Sequence, residues 1–191
     1  MPPGAWNMTP AEGPAVYLTF DDGPHPEATP FVLDQLSAYD AKGTFFCIGK
    51  NVLEYPEIYE RILREGHRVG NHTHNHLNGW KTKTRAYVED TCNAARCIDT
   101  DLFRPPYGRI RPAQARHIRE AGYKLIYWSL LSGDFDKQIS PGRCLENVAF
   151  HLRPGDIVVF HDSRKAWERL RYALPRVLEL CKRQHWEART L

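Results

Sequence analysis

Short apolar runs alternate with amphipathic stretches along this chain. The runs are rich in Val, Ile, Phe and Tyr and have Gly or Pro close by, which is typical of buried strands. They cover residues 15–20, 43–49, 68–71, 102–105, 124–129 and 156–161, and residues 186–191 are a candidate for one more. The pattern therefore predicts six or seven short strands.

The stretches between the runs have the spacing of amphipathic helices. In the longest, residues 164–183, the apolar side chains of Leu170, Leu174 and Val177 recur with the helical period. The predicted helices cover residues 29–39, 56–65, 84–99, 111–121, 141–152 and 164–183. A strand–helix unit repeated in this way predicts an α/β fold with a parallel sheet, either open or closed into a barrel.

Polar clusters stand at or just beyond the ends of five predicted strands. They are residues 19–24, 72–76, 104–107, 134–136 and 160–162. Ligands bind at the carboxyl ends of parallel strands in both open sheets and barrels. Because an open sheet brings distant strand ends together poorly, a shared site favours a small or incomplete (β/α) barrel of six to seven parallel strands.

Composition and charge limit the class of protein. With 191 residues, of which 42% are hydrophobic and 26% charged, the chain is expected to fold as one globular domain spanning residues 1–191. The formal net charge is only +3, and the Lys and Arg residues are spread along the chain, which argues against a nucleic-acid partner. We expect a monomer.

Cysteine use and hydropathy leave the compartment open. The five cysteines form no CxxC pair, so mostly free, buried thiols are expected. No stretch approaches the length of a membrane-spanning helix. Residues 1–4 lack the charged and apolar regions of a signal peptide, which leaves two interpretations: a cytoplasmic protein, or one whose leader is absent from this sequence.

Two adjacent acids, Asp21 and Asp22, follow the first predicted strand. Adjacent side chains at a strand end point in different directions, so one acid can bind a cation while the other accepts a proton. Gly23 and Pro24 turn the chain directly after them. An ordinary polar turn is the alternative, and the presence of two acids rather than one weakens it.

Two histidines, His72 and His76, are four residues apart. On a helical turn this spacing places both rings on one side, as in histidine pairs that bind zinc. A catalytic zinc needs a third protein ligand, for which Asp22 is the candidate. A histidine-rich surface loop is one alternative. A structural zinc site is another, but it would need a fourth ligand, and none stands at a suitable spacing.

Further polar residues suggest acid–base chemistry. Arg104 stands near the end of a buried strand, where a guanidinium is costly unless paired, and Asp21 is its candidate partner. His161 ends the most apolar run and could act as a general acid, with Asp134 raising its pKa. A surface arginine and a hydrogen-bonded core histidine are the alternatives.

Three other residues near the clusters are assigned no chemistry. Asp136 and Asp162 are expected to be capping or surface acids. Trp80, in the polar loop of residues 77–83, is expected to pack in an ordinary way rather than to bind sugar.

Taken in this order, the five clusters resemble the polysaccharide deacetylase family, the NodB-homology domain of carbohydrate esterase family four. The resemblance spans roughly residues 15–165, and the motifs at residues 19–24 and 72–76 are specific when found together. It implies a distorted (β/α) barrel and a divalent metal, most often zinc, with Co²⁺ or Ni²⁺ as alternatives. It also implies removal of acetyl groups from N-acetylglucosamine polymers such as peptidoglycan or chitin, usually in the cell envelope or outside the cell.

The resemblance further implies roles for individual residues. Asp21 would be the general base, oriented by Arg104, and His161 the general acid, tuned by Asp134. The implied metal ligands are Asp22, His72 and His76. The backbone N–H of Tyr107 would help to hold the oxyanion.

The fourth and fifth clusters depart from the family pattern. Leu131 and Phe135 stand where the family has an acid and a tryptophan, and Val159 stands where it has leucine. Phe135 and Val159 would therefore shape the acetyl-methyl pocket differently. We interpret the chain as an N-acetylglucosamine deacetylase that releases acetate. The alternatives are an O-acetyl esterase acting on xylan-like glycans and a metal-bearing carbohydrate-binding domain without activity.

Overall fold

The computed structural model describes residues 13–191, and the start considered above for a signal peptide lies outside them. This part of the chain contains eight parallel strands: β1 (Ala15–Asp21), β2 (Gly43–Cys47), β3 (Arg68–Asn71), β4 (Leu102–Phe103), β5 (Lys124–Leu125), β6 (Leu130–Leu131), β7 (Ile157–His161) and β8 (Glu187–Ala188). Seven of them form a curled half-barrel in the order β5-β4-β3-β2-β1-β7-β6, and β8 pairs with the start of β1. The prediction of an incomplete parallel barrel is confirmed.

Seven helices connect the strands within the described residues. They are α1 (Ala28–Ala38), α2 (Gly49–Glu54), α3 (Pro56–Arg64), α4 (Thr84–Ala95), α5 (Pro112–Glu120), α6 (Pro141–Ala149) and α7 (Trp167–Arg183). Two short 3₁₀ turns cover Gly79–Lys81 and Pro106–Gly108. All six predicted helices are present, although α4 and α6 end earlier than predicted. The sequence pattern missed α2, because its six residues are too few to display a helical period.

Alternation along β1 directs side chains to two environments. Val16, Leu18 and Phe20 belong to the main hydrophobic core, together with residues of α1, α6 and α7. Successive residues of a strand point to opposite faces of the sheet. Thr19 and Asp21 therefore face the interior of the half-barrel, and both are buried. The strand thus delivers a carboxylate to the inside of the barrel at its carboxyl end.

The predicted strand over residues 124–129 is wrong as a single element. Its first part, β5, pairs with β4, whereas β6 follows the segment and pairs with β7 at the other edge of the sheet. The N–H of Ile126 donates to Phe103 O (2.8 Å), and that of Ser129 donates to Ile157 O (3.0 Å). Residues 126–129 therefore cross the open side of the half-barrel. Because this crossing also contributes apolar side chains to the interior, hydrophobicity alone does not distinguish it from a strand.

The cysteines agree with the expectation of mostly free, buried thiols. All five cysteines are free; Cys47, Cys144 and Cys181 are buried, whereas Cys92 is exposed. Within residues 13–191, no helix combines the length and the apolar character that crossing a bilayer requires.

Candidate active site

The predicted polar residues converge on one cavity at the carboxyl ends of the strands. Asp21 ends β1 and lies opposite His161, the last residue of the neighbouring β7. His72 directly follows β3, and Arg104 directly follows β4. The cavity has a volume of about 560 Å³, and Asp21, Asp22, His72, His76 and His161 all contribute to its wall.

Asp22, His72 and His76 form a three-residue cluster in this wall. Their candidate ligand atoms all lie within 4.8 Å of one another. Asp22 Oδ1 is 3.1 Å from His76 Nε2 and 3.7 Å from His72 Nε2. Although these contacts are short, the buried Oδ1 atom makes no hydrogen bond of suitable geometry within the described residues. Two imidazole nitrogens and an unsatisfied carboxylate oxygen around one point are the donor set of a catalytic zinc site.

The protonation states of the cluster also suit a cation. Burial lowers the pKa of His72 to about 4, so its imidazole is neutral at pH 7. Its Nδ1 lies 2.7 Å from the carbonyl oxygen of Arg104, which can only accept, so Nδ1 carries the proton and Nε2 has a free lone pair. Burial opposes ionisation of Asp22, but the contact with His76 and the nearby histidine charges outweigh it and lower the pKa of Asp22.

The two histidines are brought together by a loop, and the expected helical turn is absent. Residues 72–76 have no helical assignment. Thr73 (φ 64°) and His76 (φ 55°) both occupy the left-handed region, which non-glycine residues seldom adopt. These two residues fold the chain back so that the imidazole centroids of His72 and His76 lie 5.1 Å apart. The four-residue spacing therefore predicted correctly that the two rings lie close together, but the helical turn that it assumed is wrong.

Asp21 is held by the buried Arg104, the pairing that the sequence predicted. Arg104 Nη1 donates to Asp21 Oδ1 (2.8 Å) and to Thr19 Oγ1 (2.7 Å). Arg104 is fully buried, and its guanidinium lies over the ring of Phe46 with 4.0 Å to the centroid. Its Nε and Nη2 donate to the carbonyl oxygens of residues 126 and 127 in the crossing segment. Arg104 therefore fixes both the Asp21 carboxylate and the closure of the half-barrel.

His161 makes two contacts with one fully buried carboxylate. Its Nδ1 lies 2.7 Å from Asp134 Oδ1, and its backbone N–H donates to Asp134 Oδ2 (2.7 Å). Burial lowers the pKa of His161, but the charge and the hydrogen bond of Asp134 outweigh it and raise the pKa to about 9. Arg169 of α7 donates from Nε to the carbonyl oxygen of Asp134 (2.7 Å) and so fixes the acid in turn.

We expect the imidazole of His161 in the metal-free protein to stay protonated up to about pH 9, and Asp134→Asn to lower that pKa. Because the folded-state pKa of His161 lies above the ordinary value of 6.5, the contact between His161 and Asp134 makes its full contribution to the free energy of unfolding below pH 6.5. That contribution is lost as the pH rises through about 9. A ¹H–¹⁵N NMR titration of the histidine rings measures the pKa. A midpoint near 6.5 in the wild type would contradict the assignment.

The apolar part of the cavity contains the predicted pocket residues. Phe135 meets the His161 ring edge-on, with centroids 5.2 Å apart, and Val159 is almost fully buried beside it. Tyr107 (φ 60°) places its ring 4.6 Å from the ring of His76. Leu131 is part of the same wall, and 38% of its surface is exposed. The two departures in the fourth cluster therefore both face the cavity.

Two residues near the site differ from their expected environments. Asp162 is fully buried, where a capping or surface acid was predicted: it accepts from Gly23 N (3.0 Å) and Thr29 Oγ1 (2.5 Å), and burial raises its pKa to about 8. The interpretation was wrong because the partners of Asp162 stand more than 130 positions away along the chain.

Trp80 is not packed as expected: 58% of its surface is exposed, and the Arg109 guanidinium lies 5.0 Å from its ring centroid. Asp136 caps a turn, as predicted.

Comparisons with known proteins identify a family and a fold that this chain shares with them. The family model described as polysaccharide deacetylase matches residues 9–126. A peptidoglycan-N-acetylglucosamine deacetylase of Bacillus cereus is 36% identical over 178 residues, which cover 88% of this chain and 82% of that protein. A chitooligosaccharide deacetylase of Bradyrhizobium sp. is 36% identical, over 78% of this chain and 71% of its own. The solved structure of the peptidoglycan deacetylase PdaC from Bacillus subtilis superposes with a TM-score of 0.84 at 26% identity, covering 93% of this chain and 88% of PdaC.

Proposed function

Because the chain belongs to the polysaccharide deacetylase family, whose named members are hydrolases acting on amide bonds, we propose that it removes N-acetyl groups from an N-acetylglucosamine-containing glycan. The products are acetate and a free amino sugar, and the glycan backbone stays intact. One observation carries the proposal. A carboxylate held by an arginine and a histidine held by an aspartate flank a three-ligand cluster in the same cavity.

Asp22, His72 and His76 are the residues that would hold a divalent cation, with Zn²⁺ as the first choice and Co²⁺ or Ni²⁺ as alternatives. The unsatisfied Asp22 oxygen and the free His72 Nε2 lone pair fit such an ion. When bound, the cation supplies a Lewis acid for the acetyl carbonyl and for the attacking water.

Asp21 accepts the proton of the attacking water. Its contact with the Arg104 guanidinium fixes the carboxylate and leaves its second oxygen, Oδ2, on the side of His72, 4.0 Å from Nε2. The water oxygen adds to the carbonyl carbon, and the negative charge that develops on the carbonyl oxygen is stabilised by the backbone N–H of Tyr107. Loss of one such donor commonly costs about 10²- to 10³-fold in rate.

His161 donates the proton that lets the amine leave. An amide nitrogen is a poor leaving group, so the C–N bond breaks only as the nitrogen gains a proton. Asp134 keeps the imidazole protonated near neutral pH and fixes its orientation. Phe135, Val159 and Leu131 form an apolar wall suited to the acetyl methyl group.

Two cations at the mouth of the cavity favour a glycan that carries carboxylates. Arg109 and Lys165 both contribute to the cavity wall and are exposed. The described residues provide neither of them with an acidic partner; Arg109 contacts the ring of Trp80, and Lys165 Nζ lies 5.6 Å from the ring centroid of Phe135. Peptidoglycan carries carboxylates next to its N-acetylglucosamine units, whereas chito-oligosaccharides carry none. We therefore assign a peptidoglycan-like substrate to this site.

The double variant Arg109→Gln/Lys165→Gln should lower the ratio of kcat/KM for peptidoglycan to that for a chito-oligosaccharide by about 3- to 10-fold, as expected for two solvated charge contacts. The wild-type ratio should also fall as salt is added. Arg64→Gln/Arg183→Gln, which removes two exposed charges elsewhere, is the matched control. Equal losses on the two substrates would contradict the assignment of these cations to substrate carboxylates.

Acetate release tests the proposed activity directly. The zinc-supplemented protein is assayed with N-acetylglucosamine oligomers, peptidoglycan and acetylxylan, and we expect acetate from the first two. Acetate from acetylxylan alone would favour an O-acetyl esterase. The absence of acetate from all three, with zinc bound, would favour a binding domain.

A further inference from the structure

A buried carboxylate outside the catalytic cluster holds the loop that carries the two histidines. Asp90, on α4, is only 6% exposed. Its Oδ2 accepts from the backbone N–H groups of His74 and Asn75, each at 2.9 Å, and its Oδ1 accepts from Asn75 Nδ2 at 2.6 Å. The two residues it contacts lie between His72 and His76. Any movement of their backbone therefore changes the separation of the two imidazoles.

The start of α2 holds the same loop from its carbonyl side. The N–H of Gly49 donates to Thr73 O (3.0 Å), and that of Lys50 donates to His74 O (3.2 Å). A Cβ at position 49 would approach His74 Nδ1 to 2.6 Å, so the glycine permits this close contact. The loop is therefore fixed between two helices, and the three hydrogen bonds that tie residues 74 and 75 to α4 all go to one carboxylate, that of Asp90.

The loop needs such support because its backbone is strained. Thr73 and His76 both have left-handed φ angles, which persist in non-glycine residues only where the surroundings impose them. The three hydrogen bonds of Asp90 act on the two residues between these positions. Three N–H donors of the loop satisfy the Asp90 carboxylate.

We propose that Asp90 is a positioning residue for the metal-ligand pair His72 and His76. The proposal rests on the proposed function, because it assumes that these two histidines bind a cation. Asp90 itself is no ligand: both its oxygens are engaged by the loop, and the cluster around Asp22 does not include it. It acts by holding the two Nε2 atoms at the separation that one ion requires.

Zinc affinity and the visible spectrum of the Co²⁺-loaded protein test this role. Asp90→Ala should weaken Zn²⁺ binding, measured by competition with a chelator, by about 10- to 100-fold, the usual effect of losing a group that orients metal ligands. The cobalt absorption bands should change with it. Asp90→Asn should restore affinity to within about 3-fold, because one amide oxygen can still accept both backbone bonds while the Asn75 amide turns to present its own oxygen.

Two controls separate positioning from general stability. Glu89→Gln removes an exposed charge from the neighbouring position of α4 and should leave Zn²⁺ affinity unchanged. Tyr87→Leu alters a buried side chain of α4 that faces Phe103, so it should lower the unfolding temperature with no change in the cobalt spectrum.

Asn75→Ala removes one of the three hydrogen bonds to Asp90 from the loop side and should weaken Zn²⁺ binding by about 3-fold. It keeps the test decisive if Asp90→Ala does not fold.

The outcomes distinguish this proposal from the function on which it rests. Wild-type affinity and spectrum in Asp90→Ala, or in Asn75→Ala if the first variant does not fold, would overturn the role of Asp90 alone. A wild-type protein that binds no Zn²⁺ and releases no acetate would overturn the proposed function itself, and the role of Asp90 with it.

Discussion

Asp21→Asn is expected to lower kcat for acetate release by about 10²- to 10⁴-fold, the range for loss of a general base. Asparagine has the shape of aspartate but cannot accept the proton of the attacking water. The implied metal ligands are untouched, so Zn²⁺ should still bind with nearly wild-type affinity. The measurement is kcat on an N-acetylglucosamine oligomer, together with the zinc content of the purified variant.

Asp21→Asn also breaks the ion pair between Asp21 and Arg104, and this loss affects the stability of the variant. Removing one partner of a buried pair destabilises a protein by about 3–5 kcal/mol, and Arg104 is fully buried. The thermal unfolding curve of the variant is therefore measured, to establish that it is folded at the assay temperature. Asp136→Asn, which replaces an acid that caps a turn, is the matched control and should keep wild-type activity. A folded, zinc-loaded Asp21→Asn protein with activity within tenfold of wild type would exclude Asp21 as the base.

His161→Ala should lower kcat for N-deacetylation by about 10²- to 10⁴-fold, and should lower the rate with an activated ester far less. The difference arises because an amine must be protonated to leave, whereas the phenolate of 4-nitrophenyl acetate leaves without a proton. Because His161 pairs with Asp134 whereas Asp21 pairs with Arg104, we expect the removal of His161 to leave the Asp21 pair intact.

The role of His161 is decided by comparing the rate loss on the amide substrate with the rate loss on the ester substrate. Asp134→Asn should act in the same direction, and the alkaline limb of its pH–rate profile should move to lower pH, because the imidazole loses the carboxylate that raises its pKa. Equal losses on the amide and on the ester would indicate that His161 positions the substrate rather than protonating the leaving group.

The sequence predicted those parts of the site that depend on local pattern. Asp21 faces the interior because it continues the alternation of β1, and the pairing with Arg104 followed from the cost of burying an unpaired guanidinium. The clusters at the strand ends predicted a shared cavity, because parallel strands present their carboxyl ends at one side of the sheet. These inferences needed only the local pattern around each residue and general rules of packing.

The remaining features depend on contacts that are distant along the chain. Asp162 is buried because Gly23 and Thr29 surround it, and Asp90 meets a loop fifteen and sixteen positions away. The left-handed backbone at Thr73 could not be predicted from the sequence, because a β-branched residue seldom adopts it. Only the assembled fold supplies the helices that impose this conformation.

The proposed catalysis requires one cation, held by Asp22, His72 and His76. The direct measurement is a zinc titration. Zn²⁺ is added in known amounts to the metal-free protein, and the rate of acetate release from an N-acetylglucosamine oligomer is measured at each amount. We expect no activity without metal, a rise that ends at one equivalent, and no rise at that amount in Asp22→Ala. Acetate released at the full rate without metal, or equal activation of Asp22→Ala, would contradict the account.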